Sequence, residues 1–182
     1  MTVRQTMNNS LGSALAKTIA ANHFNGGKRI TVKDFLTFEE VSAEDKIFTV
    51  ACPDLISNDV LHTFVETVAD KAVTNFCLTC GIEAVEDWAK RWLNGSDRSW
   101  SSAWAASEAA EESDLDSWAY ANSVARYIYY YAEALDAKSK GELASNYEYQ
   151  FDDDFVWEVC RDLEVHGGVT FQQQVDILSA IL

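Results

Sequence analysis

The stretch "WSSAWAASEAAEESDLDSWAYANSVARYIYYYAEAL", from Trp100 to Leu135, decides the fold class because it joins very small residues to widely spaced aromatic ones. Alanine is the strongest helix former, and small side chains let neighbouring helices approach closely. The tryptophans and tyrosines then supply most of the buried apolar surface. We expect the helix to break or kink at "ESDLD", after which an apolar stripe repeats at helical spacing. That stripe consists of Trp118, Ala121, Ala125, Ile128, Ala132 and Leu135.

Two segments before this stretch have equally clear helical periodicity. The first is "SNDVLHTFVETVADKAVTNF", with Ser57 or Asn58 as its N-cap. The second is "CGIEAVEDWAKRWLNG", which Asn94 and Gly95 end. Its apolar face predicts that Trp88 and Trp92 belong to the core, and the same reasoning applies to Trp104 in the next helix. Both segments therefore predict amphipathic helices.

The two ends of the chain also favour helix. We expect a first helix over residues 3–22 and then two short helices with Thr31 and Ser42 as N-caps. The segment "IFTV" in the second of these fits either a helix or a short strand, and we favour helix. Near the carboxyl terminus we expect a helix at about residues 152–164, a turn at Gly167 and Gly168, and a last helix capped by Thr170.

The scarcity of helix-breaking residues supports the same fold class, because the chain has one proline and eight glycines in 182 residues. We predict a mostly α-helical protein, built as an irregular helical bundle. We expect residues 1–140 to form an alanine- and aromatic-rich helical domain. We expect residues 141–182 to form an acidic helical segment, which is either part of that domain or a small subdomain that begins near "KSKGE" around Gly141.

The charge of the chain is strongly and unevenly negative. Twenty-nine acids face fourteen bases, for a net charge of −15. Residues 1–70 carry nine acids and six bases (net −3), whereas residues 71–182 carry twenty and eight (net −12). Such a chain is repelled by nucleic acid and anionic membranes and attracted by cationic surfaces, although acidity can also serve solubility alone.

Two clusters hold many of the acids in the second half. On a helix, Glu108, Glu111 and Glu112 share a face, where like charges repel one another. That electrostatic cost is offset if the face binds a cationic partner. The alternative is that the face is simply exposed to solvent and binds nothing. We therefore predict two partner-binding clusters: Glu108, Glu111, Glu112, Asp114 and Asp116 in the middle, and Asp152, Asp153, Asp154, Glu158 and Asp162 in the tail.

Motifs for catalysis or metal binding are weak. The pair "CLTC", Cys77 and Cys80, could supply two zinc ligands, but a structural site needs four and no second pair with suitable spacing follows. The three aspartates of "FDDDF" lack the spacing of a calcium loop and fit a solvated helix start. No nucleotide-binding loop or nucleophile motif occurs. We predict a protein that is not an enzyme, with no catalytic residue, metal or cofactor; a zinc-binding or enzymatic module is the last alternative.

The cellular setting follows from simple features. The first residues, "MTVRQTMNNS", are polar and do not resemble a secretory leader, and no apolar run approaches the length of a membrane helix. We therefore expect a cytoplasmic protein of a bacterial host with reduced cysteines and no membrane partner.

Three features together carry a family resemblance: "ISNDVLHTFVETVADKAV", the helix that ends in "WAKRWLNGSDRS", and the alanine-rich helix with periodic tryptophan. Over residues 31–140 the chain resembles a family of alanine- and tryptophan-rich helical immunity proteins of phages and mobile elements. This resemblance is most specific at "KRWLNG", and it implies no catalytic residues. By class, the chain is also similar to phage counter-defence inhibitors such as anti-CRISPR and anti-restriction proteins.

The resemblance and the charge together suggest a function. We expect an acidic protein inhibitor that binds a nucleic-acid-handling defence protein, namely a CRISPR effector nuclease or a restriction enzyme, and blocks its DNA binding or cleavage. Its partner would be a protein with a cationic surface, a nuclease or its nucleoprotein complex, with no direct contact to nucleic acid. The first alternative is an immunity protein that neutralises a cognate toxin.

Overall fold

The computed structural model describes residues 31–51, 55–113, 118–140 and 155–182. These residues are mostly helical and contain no strand, which confirms the predicted fold class. The helices in this part of the chain, numbered in chain order, are α1 (Val32–Leu36), α2 (Ala43–Val50), α3 (Asn58–Phe76), α4 (Glu83–Leu93), α5 (Trp100–Glu111), α6 (Trp118–Lys140), α7 (Phe155–Val165) and α8 (Phe171–Ile181).

The short helices begin at side-chain caps that the sequence predicts. The hydroxyl of Thr31 accepts from the backbone N–H of Asp34 at 3.1 Å, and the Asp34 carboxylate accepts from the Thr31 N–H at 3.1 Å. The hydroxyl of Ser42 caps α2 by accepting from the Asp45 N–H at 3.0 Å, and Thr170 caps α8 with a reciprocal pair like that of Thr31. Because each cap satisfies an N–H that the helix leaves open, it fixes the start of its helix. The segment "IFTV" lies in α2, so the preference for helix is confirmed.

The apolar faces of α3 and α4 are buried as predicted. In α4, Val85, Trp88, Ala89 and Trp92 are all buried. The helix ends at Leu93 with Asn94 as its C-cap, and Gly95 follows with a φ of 74°, a left-handed conformation that favours glycine. In α3, the buried side chains recur every three or four residues: Leu61, Phe64, Val65, Val68, Ala69, Ala72 and Val73.

The chain divides into two compact units, and α3 contributes residues to both. The first unit comprises Met1–Val65 and Thr170–Leu182. Within it, α8 packs against α1 and α2, and α1 packs against α2. Its buried side chains include Phe35 of α1, Ile47 of α2 and Leu178 of α8. Segments from distant parts of the sequence thus share one small apolar core.

The second unit comprises Glu66–Val169, and the pairing of α5 with α6 is its largest helix–helix contact among the described residues. Most of the side chains that these helices bury are small or branched: Ala103, Ala106, Ser107 and Ala110 on α5, and Ala121, Asn122, Val124, Ala125, Ile128 and Ala132 on α6. The buried amide of Asn122 donates to the carbonyl of Ser107 at 2.9 Å, which fixes the register of the pair. The expected close packing of two helices, separated at "ESDLD", is confirmed.

The turn between α7 and α8 lies where the sequence predicts it. Gly168 has a φ of 61°, and the amide of Asn75 donates to the carbonyl of Gly167 at 3.2 Å. A Cβ atom at Gly167 would lie 2.7 Å from the Cβ of Ala72, so this turn approaches α3 too closely for any side chain. The predicted helix over residues 3–22, the start of the tail helix at 152–154 and the boundary near Gly141 lie outside the described residues.

Candidate functional site

Three members of the middle acidic cluster are brought together at the carboxyl end of α5. Glu108 and Glu111 lie in its last turns, and Glu112 is its C-cap. All three side chains are exposed, whereas the opposite face of α5 is buried. We call Glu108, Glu111 and Glu112 the acidic face. Asp114 and Asp116 of the same predicted cluster lie outside the described residues.

The electrostatic position of the acidic face is unfavourable within the described part of the chain. Its carboxylates form no ion pair or side-chain hydrogen bond with a described residue. They stand beside one another at spacings of three and four residues, where like charges repel. They also lie at the negative end of the α5 dipole, which favours cations rather than carboxylates. A cation bound from solution would therefore relieve two separate costs.

Aromatic side chains cluster at the start of α5 and on α6. The ring of Tyr129 on α6 is 6.0 Å from that of Trp100 and 5.0 Å from that of Trp104, and it is 4.9 Å from Tyr130. Trp100 is 40% exposed, and the other three are partly buried. We call these four residues the aromatic patch. Trp104 was predicted to belong to the core; its partial exposure corrects this, because it lies at the edge of the buried face of α5.

The two other tryptophans predicted to be core residues are confirmed as such. Trp88 and Trp92 are each 1% exposed, and their rings lie 5.9 Å apart. Burial of two indoles from one helix supplies a large share of the apolar surface of this unit.

The tail cluster has a different character. Its one member with a described side chain, Asp162, is only 14% exposed and lies 3.4 Å from the guanidinium of Arg161. Burial raises the pKa of the Asp162 carboxyl, against the opposing effects of Arg161 and His166. Glu158 belongs to α7, and Asp152, Asp153 and Asp154 lie outside the described residues. Asp162 therefore differs from the exposed carboxylates of the acidic face.

A polar network that the sequence did not reveal joins α3 to the segment after α4. The indole N–H of Trp92 donates to Asp70 at 2.8 Å, and the Arg98 guanidinium donates to Asp70 at 3.0 Å. Arg98 also donates to Glu66 at 3.3 Å and lies 5.1 Å from the centre of the Trp92 ring. Arg98 thus neutralises two acids of α3, a compensation that the acidic face does not receive from any described residue. In the sequence, the only signal of this network is "RWLNGSDR", in which Trp92 and Arg98 are six residues apart.

Two of the described cysteines have the properties of structural thiols. Cys77 and Cys160 are fully buried, and burial raises the pKa of both, helped for Cys77 by the neighbouring Cys80. A raised pKa keeps a thiol protonated, and a protonated thiol does not attack an electrophile. Among the described residues, no three His, Cys, Asp or Glu side chains are grouped closely enough to hold a metal ion.

Two further observations bear on the setting of this surface. None of the described helices is both long enough and apolar enough to cross a membrane. No family model, curated protein or solved structure matches the chain.

Proposed function

We propose that this protein is a non-catalytic acidic inhibitor that binds a nucleic-acid-handling defence protein of a bacterial host, such as a CRISPR effector nuclease or a restriction enzyme, and blocks its DNA binding or cleavage. The observation that carries the proposal is the acidic face. Glu108, Glu111 and Glu112 are exposed at the carboxyl end of α5 without a basic partner in the described part of the chain.

The physical basis is competition for cationic surfaces. Proteins that hold nucleic acid do so largely through lysine and arginine contacts to phosphates. Carboxylates held on a rigid helix meet the same cations without the cost of ordering a flexible chain. The net charge of −15 also steers the protein toward a cationic channel over a distance set by the ionic strength. The class of the partner, a defence protein, comes from the resemblance over residues 31–140 and from the class of counter-defence inhibitors.

The test is a charge reversal with a matched control. Glu108→Lys/Glu112→Lys reverses two outward-facing members of the acidic face. Glu39→Lys/Glu40→Lys reverses two exposed acids between α1 and α2, so both variants change the net charge equally. DNA cleavage by purified effector nucleases is measured against inhibitor concentration, over a series of salt concentrations, after circular dichroism has shown that both variants are folded.

We expect the variant of the acidic face to inhibit less and to associate about tenfold more slowly at low salt, whereas the control keeps most of its inhibition. Inhibition by the parent protein should weaken as salt is added. Inhibition that ignores both salt and charge reversal would overturn electrostatic competition. Protection of cells against a co-encoded toxin, with no effect on any nuclease, would instead support an immunity protein.

A further inference from the structure

The aromatic patch has properties of a binding anchor as well as of a packing contact. Three large apolar side chains are exposed in the described part of the chain, and Trp100 is the aromatic one. It lies one turn before Trp104 on α5, and Tyr129 contacts both rings. Tryptophan and tyrosine are enriched among the residues that dominate binding energy at protein interfaces, because they bury much area with few rotatable bonds. Trp100 is thus held in place while a large part of it remains accessible.

The aromatic patch and the acidic face form one continuous surface along α5. Trp104 and Glu108 are four residues apart, so they are neighbours on the helix surface. The distance along the helix axis from Trp100 to Glu112 is about 18 Å, at roughly 1.5 Å per residue. A partner segment that lies along α5 therefore meets indole and phenol rings at one end and carboxylates at the other.

Arginine fits this combination better than lysine. A guanidinium stacks flat on an aromatic ring and still donates from its edge to carboxylates, whereas an ammonium is a compact, strongly hydrated charge. The protein already contains such an arrangement, since Arg98 lies over the Trp92 ring at 5.1 Å while it donates to Asp70 at 3.0 Å. The surface on α5 offers the same two kinds of group to a segment of another molecule, with the rings and the carboxylates contacted by different side chains of that segment.

We propose that the aromatic patch and the acidic face together bind an arginine-bearing segment of the partner protein, with one guanidinium stacked on Trp100 and neighbouring basic side chains on Glu108, Glu111 and Glu112. This inference rests on the proposed function and adds to it the chemistry of the partner and the anchor residue. The occupant is a protein segment, identified by arginine and by complementary charge.

Two peptides of equal charge, hexaarginine and hexalysine, test the inference on the full-length protein. Binding is measured by titration calorimetry at low salt. We expect hexaarginine to bind the parent protein about threefold to fivefold more tightly than hexalysine, the range expected for an exposed cation–π contact. Trp100→Leu, which keeps an apolar side chain but removes the ring, should abolish this preference. Val165→Ala, which changes an exposed apolar residue at the end of α7, should preserve it.

The charge reversal separates this inference from the proposed function. Glu108→Lys/Glu112→Lys should weaken both peptides to a similar extent and leave the arginine preference unchanged. Equal affinity of the two peptides for the parent protein, or an arginine preference that persists in Trp100→Leu, would overturn the role of the aromatic patch and leave charge-based binding intact. A parent protein that binds neither peptide at low salt would contradict both proposals.

Discussion

Replacement of Asp70 by alanine tests how the second unit is held together. The carboxylate of Asp70 accepts the indole N–H of Trp92 at 2.8 Å and the Arg98 guanidinium at 3.0 Å. Trp92 is 1% exposed, so in Asp70→Ala its N–H loses the partner that it has in the native structure. An unsatisfied buried donor costs about 1–3 kcal/mol. The ion pair adds little, about 0–1 kcal/mol, because Arg98 and Asp70 are 30% and 34% exposed and solvent screens them.

The expected loss in Asp70→Ala is therefore about 1–4 kcal/mol of unfolding free energy. Asp70→Asn separates the two contributions, because an amide oxygen can still accept from Trp92 while the charge is gone; we expect it to cost no more than about 1 kcal/mol. Asp87→Ala is the matched control, since it also replaces a helical aspartate by alanine. Its pair with Lys90 is more than half exposed and is screened by solvent, so we expect no measurable change in stability.

Urea denaturation followed by circular dichroism measures all three variants against the parent. The reasoning is refuted if Asp70→Ala is no less stable than Asp87→Ala, because the hydrogen bond from Trp92 would then contribute nothing. It is equally refuted if Asp70→Asn is as unstable as Asp70→Ala, which would assign the whole effect to charge.

Three further outcomes are expected. Trp88→Ala should lower the unfolding free energy by about 3–5 kcal/mol in urea denaturation, because Trp88 is 1% exposed and its removal leaves a large cavity. A urea midpoint equal to that of the parent protein would show that Trp88 is not a core residue. The thiols of Cys77 and Cys160 should resist iodoacetamide in the folded protein and react after unfolding, since burial raises the pKa of both. Mass spectrometry of the alkylated peptides distinguishes the two states, and rapid labelling of the folded protein would contradict the burial of these thiols. Asp162→Asn should stabilise the protein near neutral pH and have less effect below the ordinary aspartate pKa of 3.8. Burial raises the pKa of Asp162 in the folded state, so the folded protein holds the carboxyl proton more tightly than the unfolded chain does. The parent protein therefore loses stability as the pH rises from 3.8 through the raised pKa and the buried carboxyl ionises. Urea denaturation at both pH values checks the sign, and a destabilised variant at neutral pH would show that the Arg161 contact outweighs the cost of burial.

The sequence alone determined the features that depend on neighbours within one or two helical turns. The caps at Thr31, Ser42 and Thr170 follow from hydroxyl side chains placed before helical segments, because such caps satisfy N–H groups only three residues away. The burial of Trp88 and Trp92 follows from apolar periodicity, which places both on one side of α4. The exposure of Glu108, Glu111 and Glu112 follows for the same reason, since α5 buries its alanines on the other side.

Only the tertiary structure decided which distant residues meet. Asp70 and Trp92 are 22 residues apart, and no periodicity within either helix shows that they share a hydrogen bond. The partial burial of Trp104 depends on Tyr129 of α6, and the low exposure of Asp162 depends on its place in the folded second unit. Helical periodicity specifies which face of a helix is apolar, but the residues that cover that face depend on how separate segments pack. Of the surface on α5, the sequence thus determined the carboxylates and the two tryptophans, and the packing of α5 against α6 added the tyrosine rings that contact Trp100 and Trp104.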